Sequence, residues 1–139
     1  MGWEGYRVLK KIIIFLLICI SLIACSQQDE RDTDLEAAMY SVVKDDNNTK
    51  IPLSELTAFS WDKAFLFTSY TPSENIEKKL GTKFKDKSNI EMREDIYLLV
   101  FLEEGEVVKY AELDRQGLSF SVKKGPLTPL NDAIIIERD

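Results

Sequence analysis

One apolar run limits what most of this chain can fold into. Residues 96–102 read IYLLVFL, and apolar side chains occupy both alternations of the run. A strand places successive side chains on opposite faces of its sheet, so such a run needs cover on both faces. The sequence therefore predicts a central strand here, with other parts of the chain packed above and below it.

Turn signals place further strands around this run. Residues 103–105 (Glu-Glu-Gly) suit a three-residue hairpin loop with the glycine in the left-handed conformation, after which residues 107–113 return beside the central strand. Strands are also predicted at residues 61–68, 118–122 and 133–137, the last of which would close the sheet.

Two short helices complete the predicted domain. Thr33 and Glu36 fit a capping box, and helical spacing of apolar residues follows over residues 34–44. Thr71 offers an N-cap to a second helix over residues 72–80, which the next glycine would end. Because successive strands are joined by short turns, residues 34–139 are predicted to form a single α+β domain. Its antiparallel sheet of about five strands would pack against two short helices.

The N-terminal segment has the charge and hydropathy of an export signal. Residues 1–24 carry three basic and one acidic side chain, whereas the remainder carries 15 basic and 23 acidic ones, a net of −8. Lys10 and Lys11 precede an apolar run, residues 12–24, whose only polar member is Ser21. As a helix that run would rise about 20 Å against a hydrocarbon core of roughly 30 Å, so it suits a signal peptide better than a permanent span.

The apolar run ends in Leu22-Ile23-Ala24-Cys25, which resembles the lipobox of bacterial lipoproteins. The resemblance implies that residues 1–24 are a signal peptide, cleaved between Ala24 and Cys25, and that the sulfur of Cys25 carries diacylglycerol. Two acyl chains on one glycerol make membrane attachment stable. The implied location is a cell membrane, lipid-anchored and facing outward: a Gram-positive surface is favoured, and a periplasm-facing membrane is the alternative.

The segment after the cysteine is predicted to be a flexible tether. Residues 26–33 (SQQDERDT) have no large apolar side chain to bury, so residues 25–33 would connect the lipid to the domain through a solvated linker. The acidic body argues against nucleic acid as a partner. An envelope protein remains a possible one.

The residue types that the chain lacks narrow its chemistry. It has no histidine, and Cys19 lies in the predicted leader, so lipidation of Cys25 would leave no pair for a disulfide. Without histidine there is no Ser-His-Asp or Cys-His catalysis and no His-Cys zinc site. No SxxK, GxSxG, phosphate-binding glycine loop or HExxH motif occurs either. The sequence predicts no catalytic residue, metal or cofactor, and favours a non-catalytic domain.

A second resemblance covers residue 51 to the C-terminus. The stretch containing Trp61-Asp62-Lys63, Tyr70-Thr71-Pro72 and Leu80-Gly81, followed by the hairpin LLVFLEEGEVV, resembles small uncharacterised lipoproteins of bacteria. The resemblance bears on the fold and implies no activity.

Five residues are candidates for binding. Trp61, Asp62 and Lys63 combine an aromatic anchor with two opposite charges, Tyr70 offers a hydroxyl, and Arg115 offers a guanidinium for a carboxylate or phosphate. Each also has a structural interpretation. Trp61 would begin a core strand with Asp62 and Lys63 at its solvated end. Tyr70 would pack under the second helix and form a local hydrogen bond. Arg115 would pair with an acid inside the domain: Asp62, Glu112 or Asp114.

Three functions are compatible with these features. The first is a lipid-anchored interaction module that binds a protein or another envelope component. The second is a small-ligand carrier or sensor, with a pocket between sheet and helices lined by Phe65, Phe67, Tyr97 and Phe101. The third is a histidine-free hydrolase that uses two facing carboxylates.

Overall fold

The computed structural model describes residues 3–23 and 30–138. The elements within these ranges are, in chain order, α1 (Trp3–Ile23), β1 (Glu30–Arg31), α2 (Thr33–Lys44), β2 (Lys50–Pro52), α3 (Leu53–Leu56), β3 (Lys63–Phe67), α4 (Ser73–Leu80), a 3₁₀ turn (Ile90–Met92), β4 (Ile96–Glu103), β5 (Glu106–Asp114), β6 (Ser119–Ser121) and β7 (Ala133–Glu137). No helix among the described residues is both long and apolar enough to cross a membrane.

The described strands form two sheets, where the sequence predicted one. The central sheet has the order β1-β5-β4-β3 and the smaller sheet the order β2-β7-β6. The α+β class is confirmed, whereas one sheet of about five strands and two helices is wrong in detail. All pairs are antiparallel except β1 with β5, which are parallel. β1 pairs with part of the outer edge of β5, and the next strand along the chain, β6, belongs to the smaller sheet.

The central strand predicted from IYLLVFL is confirmed. All residues of β4 before its last are buried, and their side chains alternate between two apolar clusters. Tyr97, Leu99 and Phe101 pack towards α2 and the smaller sheet. Leu98, Val100 and Leu102 pack towards α4 and the 3₁₀ turn. The strand is therefore covered on both faces, and burial of each large side chain contributes about 1.5–3 kcal/mol.

Helix α2 begins one residue earlier than predicted and has a different cap. The carboxylate of Asp32 accepts a hydrogen bond from the backbone N–H of Leu35 at 2.9 Å, so Asp32 is the N-cap. The predicted capping box of Thr33 and Glu36 is wrong, because the Glu36 carboxylate binds Arg31 instead. The buried residues of α2 recur every fourth position: Leu35, Met39 and Val43.

Helix α4 ends as predicted but begins differently. Gly81 follows its last residue with φ 75°, the left-handed conformation that glycine adopts without a steric cost. Thr71 does not cap the helix, because its hydroxyl donates to the carbonyl of Thr68 and Pro72 occupies the cap position.

The β4–β5 hairpin turn is tighter than the predicted three-residue loop. Glu103 pairs with Glu106, which leaves two turn residues, Glu104 and Gly105, with φ 51° and 79°. Two successive positive φ angles match the right-handed twist of hairpin strands, which explains the glycine at the second position.

Residues 30–33, predicted to be the end of a flexible tether, form β1 and the start of α2. Glu30 and Arg31 pair with Lys109 and Tyr110 of β5, and the backbone N–H of Asp32 donates to the carbonyl of Tyr110 at 2.9 Å. Polar composition suggested solvation, but these residues enter the sheet through backbone hydrogen bonds and charge pairs, which need no apolar side chain. The lipidation prediction at Cys25 and the cleavage prediction at Ala24 lie outside the described residues.

Candidate functional site

Trp61 belongs to the core. It is 7 % exposed, and its ring meets that of Phe101 edge-on with centroids 5.1 Å apart. Its indole N–H donates to the hydroxyl of Thr57 at 3.1 Å, so the polar atom is satisfied inside the domain. The indole therefore presents no open aromatic anchor to a partner.

Asp62 holds the hairpin turn. Its Oδ2 accepts a hydrogen bond from the backbone N–H of Glu104 at 2.8 Å. A left-handed conformation is unfavourable for a residue with a Cβ, and this hydrogen bond helps to keep Glu104 in it. Lys63 is exposed at the start of β3. Asp62 thus has a structural role, and Lys63 remains on the surface beside it.

Tyr70 and Arg115 meet around Glu94 at the other end of the sheet. The hydroxyl of Tyr70 donates to the Glu94 carboxylate at 3.1 Å, and this bond raises the pKa of Tyr70 above its ordinary value. Arg115 donates to the carbonyls of Glu94 (3.2 Å) and Leu118 (3.3 Å), and its guanidinium lies 5.7 Å from the ring centre of Tyr97.

The structural interpretation of Tyr70 is confirmed in part, and that of Arg115 is wrong. Tyr70 is exposed and does not pack under α4, but its hydroxyl forms the predicted local hydrogen bond, to Glu94. Within the described residues Arg115 forms no ion pair with any of the acids predicted for it: Asp62, Glu112 and Asp114. Its guanidinium instead donates hydrogen bonds to the backbone carbonyls of Leu118 and Glu94.

The five candidate residues do not converge on one site. The backbone N–H of Asp62 donates to the carbonyl of Leu102, near the end of β4. The backbone N–H of Arg115 donates to the carbonyl of Asp95, just before β4 begins. β4 has eight residues, so its ends are about 24 Å apart at the rise of a β-strand. Trp61, Asp62 and Lys63 therefore form one group and Tyr70 and Arg115 another.

A network of arginines and carboxylates is the most elaborate polar feature among the described residues. It runs from Glu36 on α2 through Arg31 on β1, Glu112 on β5 and Arg93 to Asp95 in the loop before β4. Each contact is a salt bridge, and we refer to the five residues as the arginine–carboxylate network. Three elements and one loop are thereby fastened together.

Arg31 connects the two carboxylates at one end of this network. Its Nε and Nη2 bind the two oxygens of Glu36 at 2.7 and 2.8 Å, and its Nη1 lies 3.2 Å from Glu112 Oε2. The same Glu36 Oε2 accepts the backbone N–H of Glu112 at 3.0 Å. Bidentate arginine–carboxylate pairs are among the strongest polar contacts in proteins and fix orientation as well as charge.

Arg93 likewise connects two carboxylates at the other end of the arginine–carboxylate network. It binds both oxygens of Asp95 at 2.9 and 2.7 Å and Glu112 Oε1 at 2.8 Å. The hydrogen bonds from Arg93 lower the pKa of Asp95 below its ordinary value. The carboxylates in turn raise the pKa of Arg31, chiefly through Glu36, and of Arg93, chiefly through Asp95. The shifts of the two arginines and of Asp95 all favour their charged forms.

The network lines an open groove of about 560 Å³. The groove also includes three side chains with hydroxyl groups from α2 and one further acidic side chain from β5: Thr33, Tyr40, Ser41 and Asp114. Tyr40 is an exposed aromatic on its wall. The groove presents fixed charges of both signs beside an aromatic ring and hydroxyl groups, which suits recognition of a polar surface.

The groove carboxylates do not resemble a hydrolase pair. Such enzymes need one acid that stays protonated near neutral pH, with a raised pKa. Glu36 and Glu112 are instead occupied by guanidinium groups, and Asp95 has a lowered pKa. Nor do the described residues contain a group of three acidic or cysteine side chains placed to hold a metal ion.

The ligand pocket predicted between sheet and helices is wrong in its lining. Phe101 and Tyr97 belong to the apolar cluster on one face of the central sheet. Phe67, with Phe65 packed against its cluster, belongs to the opposite face. Strand alternation separates the two pairs, so they cannot line one cavity.

Sequence reasoning missed Arg31, Glu36, Arg93 and Asp95 as a connected set. Arg31 fell in the segment interpreted as tether, and Glu36 was assigned to a capping box. Two local signals were present: Asp32 precedes the helical spacing of α2, and Arg93 stands two residues before Asp95. The contact of both arginines with Glu112 depends on tertiary structure, which no local pattern encodes.

Comparison with known proteins adds no assignment: no family model, no curated protein and no solved structure matches this chain. The lipoprotein resemblance therefore rests on the sequence motifs themselves.

Proposed function

We propose that this protein is a lipoprotein, held at the outer face of a cell membrane by diacylglycerol on Cys25, and that its domain is a non-catalytic interaction module working beside the bilayer. The observation that carries the proposal is the sequence Leu22-Ile23-Ala24-Cys25 at the end of a short apolar run behind two lysines. A leader of this form is discarded, and the cysteine becomes the new N-terminus.

The distance between Cys25 and the sheet supports a position close to the bilayer. Only five peptide links separate Cys25 from Glu30, the first residue of β1. An extended chain covers at most about 3.6 Å per residue, so these links reach about 18 Å. A domain attached in this way is held against its membrane and meets partners there.

The groove of the arginine–carboxylate network is the best surface for such a partner. It begins at Arg31, six residues after Cys25, and its charged rim is held by paired contacts. A prearranged surface loses little side-chain entropy on binding. Exposed Tyr40 supplies the aromatic area that protein interfaces favour.

The anchor is tested by replacing the cysteine. In a bacterium that processes lipoproteins, Cys25→Ser is expected to abolish incorporation of labelled palmitate and to leave the leader uncleaved. Cys19→Ser is the matched control, because that residue lies in the same apolar run and its loss leaves the lipobox intact. Equal labelling of the wild type and Cys25→Ser would refute the anchor.

The interaction role is tested by site-specific crosslinking in intact cells. A photoreactive residue at position 40, in the groove, is expected to capture a discrete partner. The same residue at exposed Glu74 on α4 serves as the control, because α4 covers the opposite face of the central sheet. Capture at position 40 is expected to require the wild-type Cys25. If position 40 captures nothing beyond what position 74 captures, and Cys25→Ser makes no difference, the module has no partner at this groove.

A further inference from the structure

One row of residues crosses the whole central sheet and extends beyond it. Glu30 pairs with Lys109, Lys109 with Phe101 and Phe101 with Ala64. Ala64 then forms an antiparallel bridge with Leu127, with backbone hydrogen bonds of 2.9 Å in both directions. With neighbouring strands about 4.8 Å apart, the four steps place Glu30 and Leu127 about 19 Å apart, at opposite edges of the sheet.

The described chain faces the same end of the sheet at both edges of this row. β5 starts at the β4–β5 turn, and β1 is parallel to it, so Glu30 is the end of β1 that faces this turn. Leu127 is antiparallel to Ala64, so the residues after Leu127 run past Lys63 towards the same end. The start of β1, which follows Cys25 by five residues, and the segment after Leu127 therefore face the same end of the sheet.

Leu130 stands at the tip of a fixed turn in that segment. Thr128 and Asn131 exchange backbone hydrogen bonds of 3.1 and 2.9 Å, and the hydroxyl of Ser54 donates to the carbonyl of Pro129 at 3.1 Å. Leu130 is nevertheless fully exposed. A single exposed leucine is ordinary on a protein surface. Leu130 is notable for its position, because it lies in the segment that faces the same end of the sheet as the start of β1.

We propose that Leu130 is a second membrane contact, which inserts into the interface of the bilayer that holds the lipid on Cys25. The inference rests on the proposed function. The lipid would hold the edge of the sheet at Glu30 and Leu130 the edge at Leu127, and these two edges lie about 19 Å apart. The two attachments together would define how the domain stands on the membrane. An apolar side chain at this boundary reaches roughly 5–10 Å into the headgroup region.

The charges at the same end define the lipid surface that suits this contact. Glu103, Glu104 and Glu106 surround the β4–β5 turn, and Lys63 is exposed beside them. An excess of carboxylates is repelled by anionic headgroups and tolerated by zwitterionic ones. Insertion of Leu130 should therefore be strongest in phosphatidylcholine vesicles, and anionic lipid should weaken it, the more so at low salt.

The test uses the processed, lipidated full chain in phosphatidylcholine vesicles. With the leader removed and Cys25 in a thioether, Leu130→Cys supplies a single free thiol for an environment-sensitive fluorophore. Met92→Cys is the matched control: Met92 is an exposed apolar residue (74 %) of the 3₁₀ turn, whose Ile90 pairs with Tyr70 at the opposite end of the sheet. Brominated acyl chains are expected to quench the fluorophore at position 130 and to leave the one at position 92 unaffected.

The outcomes separate this inference from the proposed function. Palmitate labelling without quenching at position 130, or with stronger quenching at position 92, would overturn the membrane contact while leaving the anchor intact. Absence of palmitate on the same preparation would overturn the anchor and with it the contact. Quenching at position 130 that anionic lipid reduces and salt restores would support the orientation and its electrostatic basis together.

Discussion

Glu112 is the residue on which the arginine–carboxylate network depends, and Glu112→Gln tests its contribution. The side chain of Glu112 is 11 % exposed and contacts Arg93 at 2.8 Å and Arg31 at 3.2 Å. A hydrogen bond to a charged group contributes about 1.5–3 kcal/mol. Both arginines are partly exposed and keep a second carboxylate, and glutamine can still accept one hydrogen bond, so solvent screening reduces the loss. We expect the free energy of unfolding to fall by about 1–2 kcal/mol.

The assay is urea unfolding of the chain from Ser26 onward, monitored by Trp61 fluorescence. Asp114→Asn is the matched control, because Asp114 lies on the same strand and lines the same groove but is exposed. We expect it to change the unfolding free energy by less than about 0.5 kcal/mol. A double-mutant cycle with Arg93→Gln should give a coupling of at least about 0.5 kcal/mol. If Glu112→Gln unfolds at the same urea concentration as Asp114→Asn, the network does not stabilise the fold.

Three further predictions concern the core, the turn and the pH dependence. Phe101→Ala, at a fully buried position, should lower the unfolding free energy by about 3–5 kcal/mol in the same assay, and a loss under 1 kcal/mol would contradict the packing described. Gly105→Ala, at φ 79°, should cost about 1–2 kcal/mol, and an unchanged urea midpoint would argue against the left-handed turn. The lowered pKa of Asp95 contributes stability that is present above the unfolded-state pKa and is lost as pH falls below about 4. Asp95→Asn should therefore flatten the acid limb of stability against pH, and an unaltered limb would exclude this contribution.

The features of the fold that follow from local chemistry could be predicted from sequence. The double-sided apolarity of residues 96–102 specified a strand covered on both faces, and Gly81 marked the end of α4, because each signal acts within a few residues. The β7 segment was placed correctly for the same reason.

Sequence patterns could not predict which of several compatible partners a polar residue contacts in the folded chain. Nothing local distinguishes a polar tether from a two-residue edge strand, so Glu30 and Arg31 were misassigned. Asp32 and Thr33 are both good N-caps; Asp32 takes this position, and the Glu36 carboxylate that a Thr33 capping box would use binds Arg31 instead. The same limit applies to the candidate site, since Arg115 found backbone carbonyls where side-chain carboxylates were expected.

The row from Glu30 to Leu127 also bears on how the molecule avoids self-association. An edge strand of a sheet presents unpaired backbone N–H and C=O groups that can pair with strands of neighbouring molecules, a route to aggregates. Here Glu30 and Arg31 occupy part of the border beside β5, and Leu127 part of that beside β3. β1 thus also blocks intermolecular strand pairing at this edge of the sheet, and removal of the chain up to and including Arg31 is expected to make the domain more prone to aggregation.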